Sequence, residues 1–247
     1  MPKRSRVYGY VPGGIGGEGY SVNTGAFGNH ATLANDLVSY WKLQETSGTR
    51  VDSRGSNDLT DNNTVASAAG IIGNSASFIA ANDESLTRAS FQSMSGVFTW
   101  SFWFQRPSIT NTVGFITKMP AWGNSIEYAI YTTGGASGLI DLVVGDGAAQ
   151  RSVSTASLQS LDTWYFIVAW LDTDKIPRIS ADNGATNAGS ALAGTPASDA
   201  TSTLYFGDGV GTVVNYDGRI DEVGLWSRAL TAAERTSLYN SGAGLTY

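Results

Sequence analysis

Gly218-Arg219-Ile220-Asp221-Glu222-Val223-Gly224-Leu225-Trp226-Ser227-Arg228-Ala229-Leu230 is the stretch that decides the fold. Side chains of a β-strand alternate between its two faces. Ile220 and Trp226 share one parity, whereas Val223 and Leu225 share the other. Either the strand is buried on both faces, or a bulge near Asp221-Glu222 shifts its register. In a regular strand these adjacent acids point to opposite faces. A carboxylate among apolar neighbours needs partners. Arg219 or Arg228 is placed to pair with one of them, and a cation to satisfy the other. Directly after the stretch, Thr231-Ala232-Ala233-Glu234 fits a capping box, with the helix running to about Tyr239 and stopping over Asn240 to Gly242.

Upstream, the pattern is that of strands. Phe98, Trp100, Phe102 and Phe104 alternate with Thr99, Ser101, Trp103 and Gln105, a period of two that makes one face core. Residues 38–43, 127–133, 139–145, 204–207 and 219–227 read as further strands. Trp164–Leu171 is apolar at every position, as in a central strand covered on both sides. Many short strands with turn signals such as Asp182-Asn183-Gly184 between them imply a two-sheet sandwich or a barrel.

The chain has 247 residues, a formal net charge of −6, no cysteine and one histidine. No cysteine means no disulfide and no thiolate metal site. His30 alone excludes any site built on two imidazoles. A pI near 4.7 argues against general nucleic-acid binding, which needs a basic surface. No run approaches 18 consecutive apolar residues, so no spanning helix and no membrane role are expected. The basic start has no apolar stretch behind it and does not read as a secretory signal.

Residues 1–35 differ from the rest. Lys3, Arg4 and Arg6 form a small basic cluster, followed by a Gly-rich run carrying Tyr8, Tyr10 and Tyr20. This reads as an assembly arm, extended or disordered until it meets a partner. Residues 36–247 read as one domain.

Four segments in order resemble the laminin G-like jelly roll of the concanavalin A-like lectin/glucanase superfamily. They are residues 37–43 with 48–55, residues 73–78 with Asn82-Asp83, residues 98–103, and residues 218–230. The resemblance implies an all-β, two-sheet antiparallel β-sandwich with one short C-terminal helix. It also implies a binding or structural role, because glucanases of this superfamily carry acidic residues two or three apart on one strand and no strand here does. Such sandwiches occur on bacteriophage particles as capsid decorations, head fibres and tail parts. The expected role is therefore a non-enzymatic virion component, made in the host cytoplasm, anchored to other virion proteins through residues 1–35, homo-oligomeric (a trimer fits symmetry axes) and able to bind host glycans. The alternative is an extracellular lectin module of a secreted or cell-surface protein. Many members hold a structural calcium, for which Asp52, Asp83 and Asp221 supply oxygen ligands. The same residues also read as turn-forming caps of backbone N–H groups.

Sugar binding uses exposed aromatics as platforms with polar groups beside them. Trp122, in the loop Pro120-Ala121-Trp122-Gly123-Asn124-Ser125, is the first candidate, with Asn124 and Tyr131. Trp103 follows, on the more polar face of its strand. Core packing is the competing role for each. Gly14, Gly16 and Gly19 match a dinucleotide fingerprint but lack its strand and helix. No nucleophile elbow accompanies His30.

Overall fold

The computed structural model describes residues 30–94, 96–109, 111–134, 137–209 and 215–246. The strands are β1 (Leu37–Trp41), β2 (Thr60–Asn62), β3 (Ala66–Ala69), β4 (Asn74–Phe78), β5 (Ser85–Arg88), β6 (Phe98–Gln105), β7 (Gly114–Lys118) and β8 (Tyr128–Thr132). They continue with β9 (Ile140–Gly145), β10 (Gln150–Ser154), β11 (Tyr165–Leu171), β12 (Pro177–Ala181), β13 (Asn187–Ala188), β14 (Leu204–Phe206) and β15 (Gly218–Trp226), before helix α1 (Ala232–Tyr239). One sheet has the order β13-β12-β11-β6-β15-β4-β3, with β1 also on β15, and the other is β10-β9-β8-β7-β14-β5-β2. The pairings are antiparallel, for example β11 on β6 and β8 on β9. The result is the expected β-sandwich with a short C-terminal helix.

The period of two in β6 builds the core. Phe98, Trp100, Phe102 and Phe104 point between the sheets, against Tyr128 and Ile130 of β8 and Leu142 and Val144 of β9. Trp41 stacks on Trp100 at 6.1 Å between ring centres, and Phe206 meets Trp41 edge-on at 5.1 Å. Such aromatic contacts add to the area they remove from water.

The opposite face of the first sheet is also covered. Trp103, Phe166, Val168, Trp170 and Trp226 form a second apolar layer, roofed by Leu230 and by Leu238 of α1. This accounts for the unbroken apolar run of β11. It also corrects Trp103 as a sugar platform: its ring is buried and stacks on Tyr239 at 5.8 Å. The capping box forms, with Glu234 N–H donating to Thr231 Oγ1 at 3.2 Å and Thr231 N–H to Glu234 Oε2 at 2.9 Å. Arg228 grips the same carboxylate at 2.8 and 2.7 Å, so it pairs with Glu234 and with neither acid of β15.

Both readings of the β15 break hold together. The register shifts between Asp221 and Gly224, and Glu222 sits at φ +50°. The bulge turns both carboxylates toward the covered outer layer. Asp221 accepts from the N–H groups of Ile71 and Ile72 at 2.9 and 3.1 Å and from that of Glu222 at 3.0 Å. The Tyr40 hydroxyl donates to Glu222 Oε2, while Oε1 has no partner. Burial raises Asp221 to about 7 and Glu222 to about 8.

The domain starts earlier than its sequence suggests. Residues 30–35, read as part of the arm, are docked: Ala31–Ala34 form a 3-10 turn with Leu33 fully buried. Trp226 Nε1–H donates to the Leu33 carbonyl at 2.8 Å, and Arg228 holds those of Thr32 and Asn35 at 2.7 and 3.0 Å. Lys3, Arg4, Arg6, Tyr8, Tyr10 and Tyr20 lie outside the described residues.

Candidate functional site

The β7–β8 loop, residues 119–127, is the feature that distinguishes the outer side of the second sheet. Its apolar residues Met119 and Ile126 pack on Ala129 and Val143, which point outward from β8 and β9, so the loop folds back over the sheet. The stems are joined by a buried ion pair: Lys118 Nζ lies 2.6 Å from Glu127 Oε2, with both side chains almost fully excluded from water. Glu127 also accepts from the Asp199 N–H at 3.0 Å and from that of Met94, while Lys118 donates to the Asp199 carbonyl. One charge pair thereby fixes the β7–β8 loop to the β13–β14 connection.

Asn124 sets the loop's other edge. Its side-chain amide donates to the Ala148 carbonyl at 2.7 Å, and its own carbonyl accepts from Gly147 N–H at 2.9 Å. Its amide thus braces the loop against the β9–β10 turn. Trp122 and Tyr131 do come together, edge to face at 5.2 Å and 89°. Trp122 is 37% exposed, whereas the other six tryptophans are buried or half-buried. Tyr131 lies opposite Asp141 in the β8–β9 ladder. Burial first, then the neighbouring Asp141 charge and a hydrogen bond to it, push the Tyr131 hydroxyl up to about 12. Thr133 donates to Asp141 Oδ2 at 2.5 Å, and Oδ1 is without a partner.

A cleft of about 380 Å³ lies between the β7–β8 loop, which carries Trp122, the β9–β10 turn and residues 195–199. Pro120, Ser125, Asp146, Thr195, Ser198 and Asp199 line it. Asp146 accepts from the N–H groups of Gly194 at 2.9 Å, Ala149 at 2.7 Å and Ala148 at 3.0 Å, which lower its pKa. Asp199 accepts from the Ser202 hydroxyl and from both the hydroxyl and N–H of Thr201, which hold it far below the usual carboxylate range. Sequence reasoning missed this second wall and the Lys118–Glu127 clamp. The wall joins residues distant in sequence, as the clamp does through Asp199, and neither carries a local pattern.

The calcium ligands do not converge. Asp52 caps its own turn, accepting from Tyr40 and Arg54 N–H at 3.0 Å each and from Asn57 N–H at 3.1 Å. Gly55 closes that turn because a Cβ there would sit 2.7 Å from Asp52 Oδ2. Asp83 is exposed in a left-handed conformation, and both Asp221 oxygens are taken by backbone N–H groups. Among the described residues no three His, Asp or Glu side chains gather as a metal site. This donor set does not fit a calcium ion, which needs six to eight converging oxygens.

Two antiparallel sheets packed face to face, with one short C-terminal helix, make a jelly-roll type of β-sandwich. The chain belongs to the concanavalin A-like lectin/glucanases superfamily, whose laminin G-type family matches residues 73–234. A comparison with curated proteins finds no match. Among solved structures it resembles the binding domain of Paraclostridial Mosquitocidal Protein 1, at 15% identity and a TM-score of 0.68, over 85% of this chain and 53% of that one. It resembles domain 4 of AbnA, an extracellular arabinanase from Geobacillus stearothermophilus seen with arabinotriose, at 15% identity and 0.61, over 85% and 98%. It also resembles the binding domain of Botulinum Neurotoxin DC, seen with SialylT, at 11% identity and a TM-score of 0.60, over 85% and 52%. The chain thus spans about half the length of the toxin domains it resembles. At such identities these likenesses speak for the fold. Among the described residues no helix is long and apolar enough to cross a membrane.

Proposed function

We propose that this domain is a non-catalytic carbohydrate-binding module, with Trp122 and Tyr131 as the platform and the adjoining cleft as the groove. The observation that carries this is Trp122 itself, the exposed indole in a chain that otherwise buries or half-buries its tryptophans. Sugars stack their C–H faces on such rings while nearby polar groups fix orientation. The arabinotriose and SialylT complexes of similarly folded domains agree with this reading. Hydrolysis would need one carboxylic acid protonated near neutral pH. Both carboxylates lining the cleft are held ionised instead, and the two acids raised furthest, Asp221 and Glu222, are buried in the other sheet.

A glycan array tests the reading. Wild-type protein is expected to bind a defined set of glycans, and Trp122→Ala to weaken that binding by roughly tenfold to a hundredfold, the size of a lost aromatic anchor. The variant's melting temperature is expected to change little. Equal binding by the variant would place the ligand elsewhere.

A finer reading places the module on a virion, as a capsid decoration, head fibre or tail component tethered through its N-terminal segment. Residues 30–35, bonded to Trp226 and Arg228, would give such a tether a fixed root on the domain. On this reading, Lys3 of the protein in its native source crosslinks to another protein or a second copy. Crosslinks confined to its own domain would argue for a free module.

A further inference from the structure

The cleft has a definite electrostatic character. Asp146 and Asp199 line it from two different loops, and among the described residues no lysine or arginine does. Hydrogen bonds from backbone and hydroxyl groups keep both carboxylates ionised.

The surrounding cations are committed elsewhere. Lys118 is buried against Glu127. Lys175 Nζ donates to the Gly194 carbonyl at 3.0 Å, and Arg151 Nε to that of Ala191 at 3.3 Å. Arg151 acts on Asp146, but only as the weakest of the influences on it. A ligand carboxylate, sulfate or phosphate entering the cleft therefore meets two fixed carboxylates, and among the described residues no guanidinium or ammonium lines the cleft to pair with it. A desolvated anion without a partner is strongly disfavoured. Sugar hydroxyls, by contrast, are donors that carboxylate oxygens accept well.

We infer that the site selects neutral glycans and rejects those bearing sialic acid, uronic acid, sulfate or phosphate. This inference rests on the carbohydrate-binding reading and adds the class of ligand to it. It sets the chain apart from a similarly folded domain seen with SialylT.

The test is an array of matched pairs, each neutral oligosaccharide beside its sialylated or sulfated form, read at about 0.15 M salt where the Debye length is about 8 Å. The anionic member is expected to bind more weakly by roughly tenfold. Ser125→Lys places a cation on the cleft wall at an exposed position and is expected to raise binding of the anionic members several-fold. Asp146→Asn keeps an acceptor for the Ala148 and Ala149 N–H groups, gives up the bond from Gly194, removes one charge and is expected to narrow the gap as well. Anionic glycans binding as well as their neutral partners would overturn the inference and leave the binding module standing. A gap that neither variant narrows would also overturn it, because its electrostatic origin would be wrong. If no glycan of either kind binds, the module reading falls, and this inference with it.

Discussion

Lys118→Met is expected to lower the unfolding free energy by about 3–5 kcal/mol, the cost of leaving a buried charge without its partner. The methionine fills a similar volume, so lost packing contributes little. What remains is the Glu127 carboxylate, excluded from water and left with only the N–H groups of Asp199 and Met94. Replacing both, as Lys118→Met with Glu127→Gln, is expected to recover part of the loss, because an amide oxygen still accepts from one of those donors without carrying a charge. Urea unfolding of the wild type and the two variants measures this. A loss below about 1 kcal/mol for the single variant would mean that water reaches the pair as it does at a surface salt bridge.

Stability is expected to fall as pH rises from about 5.5 to about 8.5, with Glu222 the main cause. Its folded-state pKa of about 8 stands above its ordinary value of 4.5, because burial disfavours the charge. The folded protein thus holds a proton over that window which the unfolded chain has released. Folding is favoured most below the unfolded pKa, and that advantage is lost as pH climbs through the folded one. Asp221, raised to about 7 from 3.8, acts with the same sign. The expected loss is on the order of 2–4 kcal/mol. Glu222→Gln keeps an acceptor for the Tyr40 hydroxyl and is expected to flatten much of the slope. Glu234 acts oppositely. Burial alone would raise it, but the Arg228 pair and the Thr231 bonds hold it at about 2, so its contribution is lost in acid. A maximum near pH 5 follows. Equal stability at the two ends of the window, or an unchanged slope in Glu222→Gln, would contradict this account.

The parity break in β15 shows what local patterns reveal. Alternation along β6 and its failure at Asp221-Glu222 follow from the fixed two-residue period of a strand, so the sandwich, the bulge and the capped helix were all legible. The partners of those two acids were not. Arg228 goes to Glu234, while Tyr40 and the Ile71-Ile72 backbone, more than 140 positions away, take the carboxylates. Trp103 misled because its strand neighbours are polar, yet Thr99 is bonded within the covered layer. At the site, Trp122 and Tyr131 were legible as loop and strand aromatics. The bond from the Asn124 amide to the β9–β10 turn is tertiary and leaves no local pattern. The docking of residues 30–35 rests on one buried leucine and carbonyl bonds to distant side chains, and neither leaves a periodic signal.

The central claim is that sugar is held at Trp122. An NMR titration with a neutral oligosaccharide selected on the array, following assigned amide and indole N–H signals, tests it most directly. The account predicts shifts concentrated at Trp122, Tyr131, the β7–β8 loop and residues 195–199, with the six other indoles unmoved. Shifts centred on the other sheet or the opposite loop edge, with Trp122 silent, would contradict it.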